Sequence, residues 1–378
     1  MDTEQLSHIS ILASNLSMEV TKEYFAMSSS ASYRPIIIWL FAGCFLIYLM
    51  VVIGGITRLT GSGLSITQWK IITGTLPPFS EDAWQNCFEG YKQTPQYNLI
   101  NSDFTLSDFK GIYWWEYIHR LLGRIIGIVF LVPFIWFWFK KKLPELFFKK
   151  AIILFALGGL QGFLGWFMVK SGLSENIYVS HYRLAIHLLS AFAVFGFTFW
   201  YALDLTLPQQ RDTSTTSPAP LPQKMGVIKL AIILFSVIII QLIYGAFVAG
   251  LKAGYGYPTW PKMGDEWFPS DIVAFEPIWR NFFEGHAGVQ FIHRSIAYIV
   301  VIIVGILFYR SRKLNLTTGQ RRIINALVLI VLAQFILGVL TLLYGVPIVI
   351  ATLHQTGAFF LFATTLLLIH RSQPSRQT

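Results

Sequence analysis

Residues 36–56 read IIIWLFAGCFLIYLMVVIGGI, an unbroken apolar run without a single charge. A helix of that length, at about 1.5 Å per residue, crosses the roughly 30 Å hydrocarbon core of a bilayer. Lipid offers the backbone no hydrogen bonds, so only helices and closed barrels span it, and this run has no period-two alternation. The span is therefore helical. Further blocks at Ile125–Phe139, Ala151–Val169 and Val227–Ala249 have the same character. The composition agrees: the 378-residue chain is 54% hydrophobic, 16% aromatic and 13% charged, with a mean hydropathy of +0.56. That balance excludes a water-soluble binding module. Reading every block this way predicts eight spans, at about 35–56, 112–139, 149–170, 183–204, 226–249, 287–309, 322–344 and 348–369. The expected fold class is an all-α polytopic membrane protein.

An even number of spans puts both termini on one side. The segments on that side, including the Lys140-Lys141-Lys142 and Arg310-Ser311-Arg312-Lys313 turns, carry 17 basic residues against seven acidic, and the opposite loops carry nine against twelve. By the positive-inside rule the termini face the cytoplasm, or the matrix in an organelle. The net charge of +10 is thus a topology signal. Nucleic acid is not an expected partner, because the basic residues sit at helix ends and no soluble domain carries a groove. Residues 1–34 are polar and Ser-rich with no basic start, which reads as a mobile tail rather than a signal peptide. Cys44 and Cys87 are too few for a disulfide framework or a cysteine metal site.

The Thr-, Ser- and Pro-rich run Arg211–Gln223 is the one break in composition. It divides the chain into a bundle at 35–204, a linker at 205–225, a bundle at 226–370 and a short tail at 371–378. The two bundles repeat each other. Gly54, Gly63 and Trp69 match Gly245, Gly254 and Trp260; His119-Arg120 matches His293-Arg294; Gln161-x-x-Leu164-Gly165 matches Gln334-x-x-Leu337-Gly338. Four helices separate the copies, so the repeat is parallel and gives two pseudo-symmetric four-helix bundles.

Four histidines fall inside spans, one on each even-numbered helix: His119, His187, His293 and His354. All lie one or two turns from the outer surface. Within each half, the two histidine-bearing helices run parallel, which suits axial ligation of haem iron between them. Zinc is disfavoured because each bundle offers two ligands rather than four. Of the others, His370 reads as solvated at a span end, and His181 and His286 lie in outer segments. The halves differ in one charge: Glu116 stands one turn before His119, whereas Gln290 stands one turn before His293. Two readings compete for Glu116. It either forms an exposed ion pair with Arg120, or supplies proton chemistry at one site that its duplicate lacks. Thr105-x-x-Asp108 reads as the capping box that starts this helix. Arg120 and Arg294 are candidates to meet haem propionates, with snorkelling to the interface as the alternative.

These residues resemble the haem A synthase family. The resemblance rests on Gly54-Gly55-Ile56-Thr57-Arg58-Leu59-Thr60-Gly61-Ser62-Gly63, Trp115-Glu116-Tyr117-Ile118-His119-Arg120, Tyr182-Arg183-Leu184-Ala185-Ile186-His187, Pro258-Thr259-Trp260-Pro261, Gln290-Phe291-Ile292-His293-Arg294 and Leu353-His354-Gln355. The chain is similar to the branch that includes the mitochondrial proteins, without the loop cysteine pair of the other branch. The resemblance implies substrate haem O between His119 and His187, and haem b between His293 and His354. It also implies stepwise oxidation of the C8 methyl group to a formyl group beside Glu116, giving haem A for terminal oxidases. It makes a haem O synthase the supplier of substrate and requires an electron partner of unspecified identity. The expected location is the bacterial inner membrane, or the mitochondrial inner membrane in a eukaryote, with the haem sites near the outer face. The histidines alone also allow a two-haem electron carrier that oxidises a quinol.

Overall fold

The computed structural model describes residues 30–68, 73–143, 145–173, 177–206 and 221–373. The described part of the chain is helical, and eight of its helices are long and apolar enough to cross a membrane. They are α1 (Ser30–Leu59), α2 (Leu106–Phe139), α3 (Glu145–Lys170), α4 (His181–Thr206), α5 (Leu221–Gly250), α6 (His286–Arg312), α7 (Thr318–Leu343) and α8 (Ile348–Ser372). Most of the N-terminal tail, most of the linker, the end of the C-terminal tail and Trp69 lie outside the described residues. Several helices outrun the spans expected of them, because hydrocarbon thickness sets the apolar length and not the helix length. Thus α2 starts at Leu106, where the Thr105 and Asp108 side chains cap each other's backbone reciprocally. Likewise α5 starts at Leu221, inside the expected linker.

Packing reproduces the sequence repeat. In the N-terminal half, α1 touches α2, α2 touches α3, α3 touches α4, and α4 returns to α1; α5 to α8 close an equivalent ring. The halves meet where α4 packs on α5, α8 on α1, and α4 on α8, as a pseudo-twofold along the membrane normal requires. Phe192, Phe195, Phe359 and Phe362 fill this contact. Polar bonds cross it as well: Arg58 Nη1 donates to the Ala249 carbonyl at 2.7 Å, and Gln355 Nε2 donates to the Val51 carbonyl at 2.6 Å. Gly55 is required beside Gln355, since a Cβ there would fall 2.5 Å from its Oε1.

At the end of the bundles away from the paired histidines, His370 is not solvated as its position suggested. Its Nε2 meets Asp204 at 3.0 Å, and Lys150 holds the other carboxylate oxygen at 3.1 Å. Charged groups left at a membrane boundary find each other rather than stay unpaired. The outer loops diverge. Between α1 and α2 lie two short helices, Glu81–Lys92 and Pro95–Ile100, the first carrying Cys87. Between α5 and α6 there are only 3-10 turns.

Candidate active site: two histidine pairs and one carboxylate

His119, His187, His293 and His354 each rest on a glycine of the odd helix before their own. A Cβ at Gly54 would lie 3.1 Å from His119, at Gly165 3.1 Å from His187, at Gly245 3.3 Å from His293, and at Gly338 2.8 Å from His354. The repeat had already paired these glycines without revealing what they face. His119 and His187 lie near enough to interact electrostatically, as do His293 and His354. The structure thus brings the four together as two pairs, one per half. All four rings lie deep in their bundles yet keep part of their surface uncovered.

Partners that the histidine pattern did not disclose orient the rings. Gln161 Nε2 contacts His187 Nδ1 at 3.2 Å and donates to the His187 carbonyl; Ser190 in turn donates to Gln161 Oε1. In the other half, His354 Nδ1 lies 3.1 Å from the Gln334 carbonyl. At His354 an Nδ1–H donated to that carbonyl leaves the Nε2 lone pair free for a metal bond, whereas at His187 the Gln161 amide can only donate, so Nδ1 accepts and the ring proton rests on Nε2. The repeated Gln-x-x-Leu-Gly element was the signal for this arrangement. His293 has Gln241 at 3.5 Å from Nε2, and its Nδ1 is buried without a hydrogen-bond partner. Paired imidazoles seated on glycines, with His293 Nδ1 left without a partner, would fit a haem held by each pair.

Glu116 is buried at 2% exposure. Its Oε2 accepts from Ser65 Oγ at 2.7 Å and from the Ile66 amide at 2.8 Å. Its Oε1 accepts from Arg120 Nε at 3.0 Å and Nη2 at 2.5 Å. The expected ion pair therefore exists, but it is buried instead of exposed, because residues 62–68 fold back over α2. Breaking such a pair costs about 3–5 kcal/mol rather than a few tenths. Arg120 also donates to the Ile66 carbonyl at 2.9 Å, so the pair clamps the segment that follows α1.

The C-terminal half builds the same clamp around an amide. Gln290, 1% exposed, accepts from Arg294 at 3.3 Å and faces the Tyr257 carbonyl at 3.4 Å. Arg294 donates to the carbonyls of Tyr257 and Lys262. Tyr257 is itself anchored through its hydroxyl to Asp271, and that bond pushes the phenol up to about 12. Both arginines thus bind loop carbonyls; Arg294 Nε remains buried without a protein partner. His181 joins neither pair, its Nε2 lying 3.0 Å from the Phe283 carbonyl. His286 is exposed at the start of α6.

Eight spanning helices, built as two rings of four with His119 and His187 in one and His293 and His354 in the other, define a polytopic all-α membrane protein with paired histidines. Residues 37–366 match the COX15-CtaA family, described as cytochrome oxidase assembly protein, and the chain belongs to that family. It is 49% identical to the haem A synthase of Flavobacterium psychrophilum over 342 residues, covering 89% of this chain and 98% of the relative. It is 46% identical to that of Nitrosospira multiformis over 341 residues, covering 90% and 94%. To the haem A synthase COX15 of Arabidopsis thaliana it is 44% identical over 347 residues, covering 89% and 75%.

Proposed function

We propose that the two halves divide the work of a haem A synthase. The reaction oxidises the C8 methyl group of haem O to a formyl group, giving haem A for terminal oxidases. In our reading the N-terminal half binds haem O between His119 and His187, and the C-terminal half holds haem b between His293 and His354. The observation that carries this division is one histidine cage built twice, with a carboxylate beside the first and an amide beside the second. Haem b, when bound, supplies one-electron redox chemistry. The protein's own groups do the rest. His119 and His187 orient the substrate ring, and the apolar helices exclude bulk water. Glu116 Oε2 exchanges a proton through the Ser65 hydroxyl that meets it, while Oε1 stays with Arg120. Arg120 and Arg294 hold the outer segments over the two sites, and Arg294 Nε is the donor left for a propionate.

From the basic bias we infer that the termini face the cytoplasm or matrix and the histidine pairs the outer face of a bacterial or mitochondrial inner membrane. The bilayer is the solvent, a haem O synthase the supplier of substrate, and a separate electron partner completes the redox balance. A quinol-oxidising carrier would set its two haems at different depths. Counted from the starts of their helices, His187, His293 and His354 lie about two turns in, and His119 between three and four, because α2 begins at Leu106. Co-expression with a haem O synthase, in a host making neither haem O nor haem A, should yield haem A on pigment extraction. Unchanged haem O together with quinol oxidation would favour the carrier.

A further inference from the structure

The halves are not equally closed. Among neighbouring spanning helices, the α2–α3 seam is the thinnest, whereas its counterpart α6–α7 is well packed. On α3, Gly158, Gly159 and Gly162 are exposed, and among the described residues a Cβ at any of them would meet nothing within 4 Å; the same holds for Gly127 on α2. The repeat register puts Val331, Leu332 and Phe335 at the three α3 positions. Phe335 packs against Tyr298 of α6 and Trp260 of the outer loop, and Trp260 Nε1 donates to the Tyr298 hydroxyl. That aromatic group plugs the C-terminal seam. In the N-terminal half Gly162 replaces the phenylalanine, and Trp69, the repeat partner of Trp260, lies outside the described residues.

The N-terminal half packs one cluster around Phe134, Phe137, Phe147 and Leu154 and a second, at the other end of α2, around Trp84, Phe88, Phe109 and Tyr113. Phe130 and Phe155 stack across the α2–α3 seam beside the first cluster and form the floor of the seam. Pro133 lies within α2, so Val129 loses its usual helical donor, and the Trp39 indole takes that carbonyl at 2.9 Å. Outward of the floor stands His119. It lies deep in the bundle, keeps open surface, and has no hydrogen-bond partner among the described residues.

We propose that the α2–α3 seam is a lateral portal through which the substrate haem, an apolar tetrapyrrole with a long tail, enters the N-terminal half from the bilayer. The plugged α6–α7 seam retains the resident haem of the other half. A soluble ligand needs no opening at membrane depth, but a lipid-dissolved one does, and its tail occupies the space above Phe130 and Phe155 that glycines leave. This inference rests on the assignment of haem O to His119 and His187.

The test installs the C-terminal plug in the N-terminal half. Wild type and Gly162→Phe, each carrying its resident haem, are placed in phosphatidylcholine nanodiscs, and haem O binding is followed optically. Association and dissociation should both slow by about tenfold or more, with the equilibrium constant little changed, because a portal acts on entry and exit alike. Weaker binding at unchanged association rate would mean damage to the site and would overturn the portal, as would unchanged rates. Should Gly162→Phe lose its resident haem as well, Gly158→Val carries the same test from a smaller side chain. The underlying assignment fails separately: haem O binding that survives His119→Ala would overturn both readings.

Discussion

Glu116→Gln is expected to leave expression and total bound haem near wild type while haem A formation falls by about 100-fold or more, as loss of a proton-transfer group does. Haem O or a partly oxidised haem should accumulate in the extracted pigments. The variant isolates chemistry because the protein already contains its structural control. Gln290 occupies the equivalent place, accepts from Arg294, and sits over a clamped loop in the same way. Glutamine at 116 preserves volume and, with its oxygen toward Arg120, that contact; its amide nitrogen takes the place of Oε2 and cannot accept from the Ile66 amide, so the variant removes ionisation together with that one bond. Glu116→Ala is a different experiment. It strands Arg120 and empties the seat of the Ser65 and Ile66 donors, so it should lower stability by about 3–5 kcal/mol and reduce yield. Normal haem A from the Glu116→Gln protein would remove Glu116 from the reaction and leave it as a clamp.

A second large effect is expected from one methyl group. In Gly338→Ala the new Cβ would lie 2.8 Å from His354 Cε1, closer than side chains approach, so either the ring or α7 must move. Overpacking of this kind costs about 1–3 kcal/mol, which corresponds to roughly a five- to 150-fold loss in haem retention if the site absorbs all of it. The C-terminal haem should wash out during purification, as read by the haem-to-protein ratio. Gly158→Ala is the control. Nothing lies within 4 Å of its Cβ, and alanine in a helix interior is favoured over glycine by about 1 kcal/mol. Equal retention in both variants would contradict the glycine-seat geometry.

The eight spans, the duplication and the positions of the four histidines were legible in the sequence because each is a local or periodic signal. The capping box at Thr105 was legible for the same reason. The start of α5 was not: a Pro-rich composition marks a linker on average, yet proline in a first helical turn costs no hydrogen bond, and Pro222 occupies that turn. Sequence placed Glu116 on the face of His119, but the chain reversal that lays Ser65 and Ile66 on its carboxylate is a tertiary event with no periodic trace. His370 was misjudged for a related reason, since its partner Asp204 belongs to the other half. The glycine seats were visible as repeat matches; their meaning needed the neighbouring helix.

The central claim is that the C-terminal pair holds the resident haem and the N-terminal pair the substrate. The direct measurement is the haem spectrum of the purified protein from cells that make no haem O. Wild type should show b-type haem, His119→Ala and His187→Ala should retain it, and His293→Ala and His354→Ala should lose it. Retention in both C-terminal variants, or loss confined to the N-terminal ones, would contradict the division of labour.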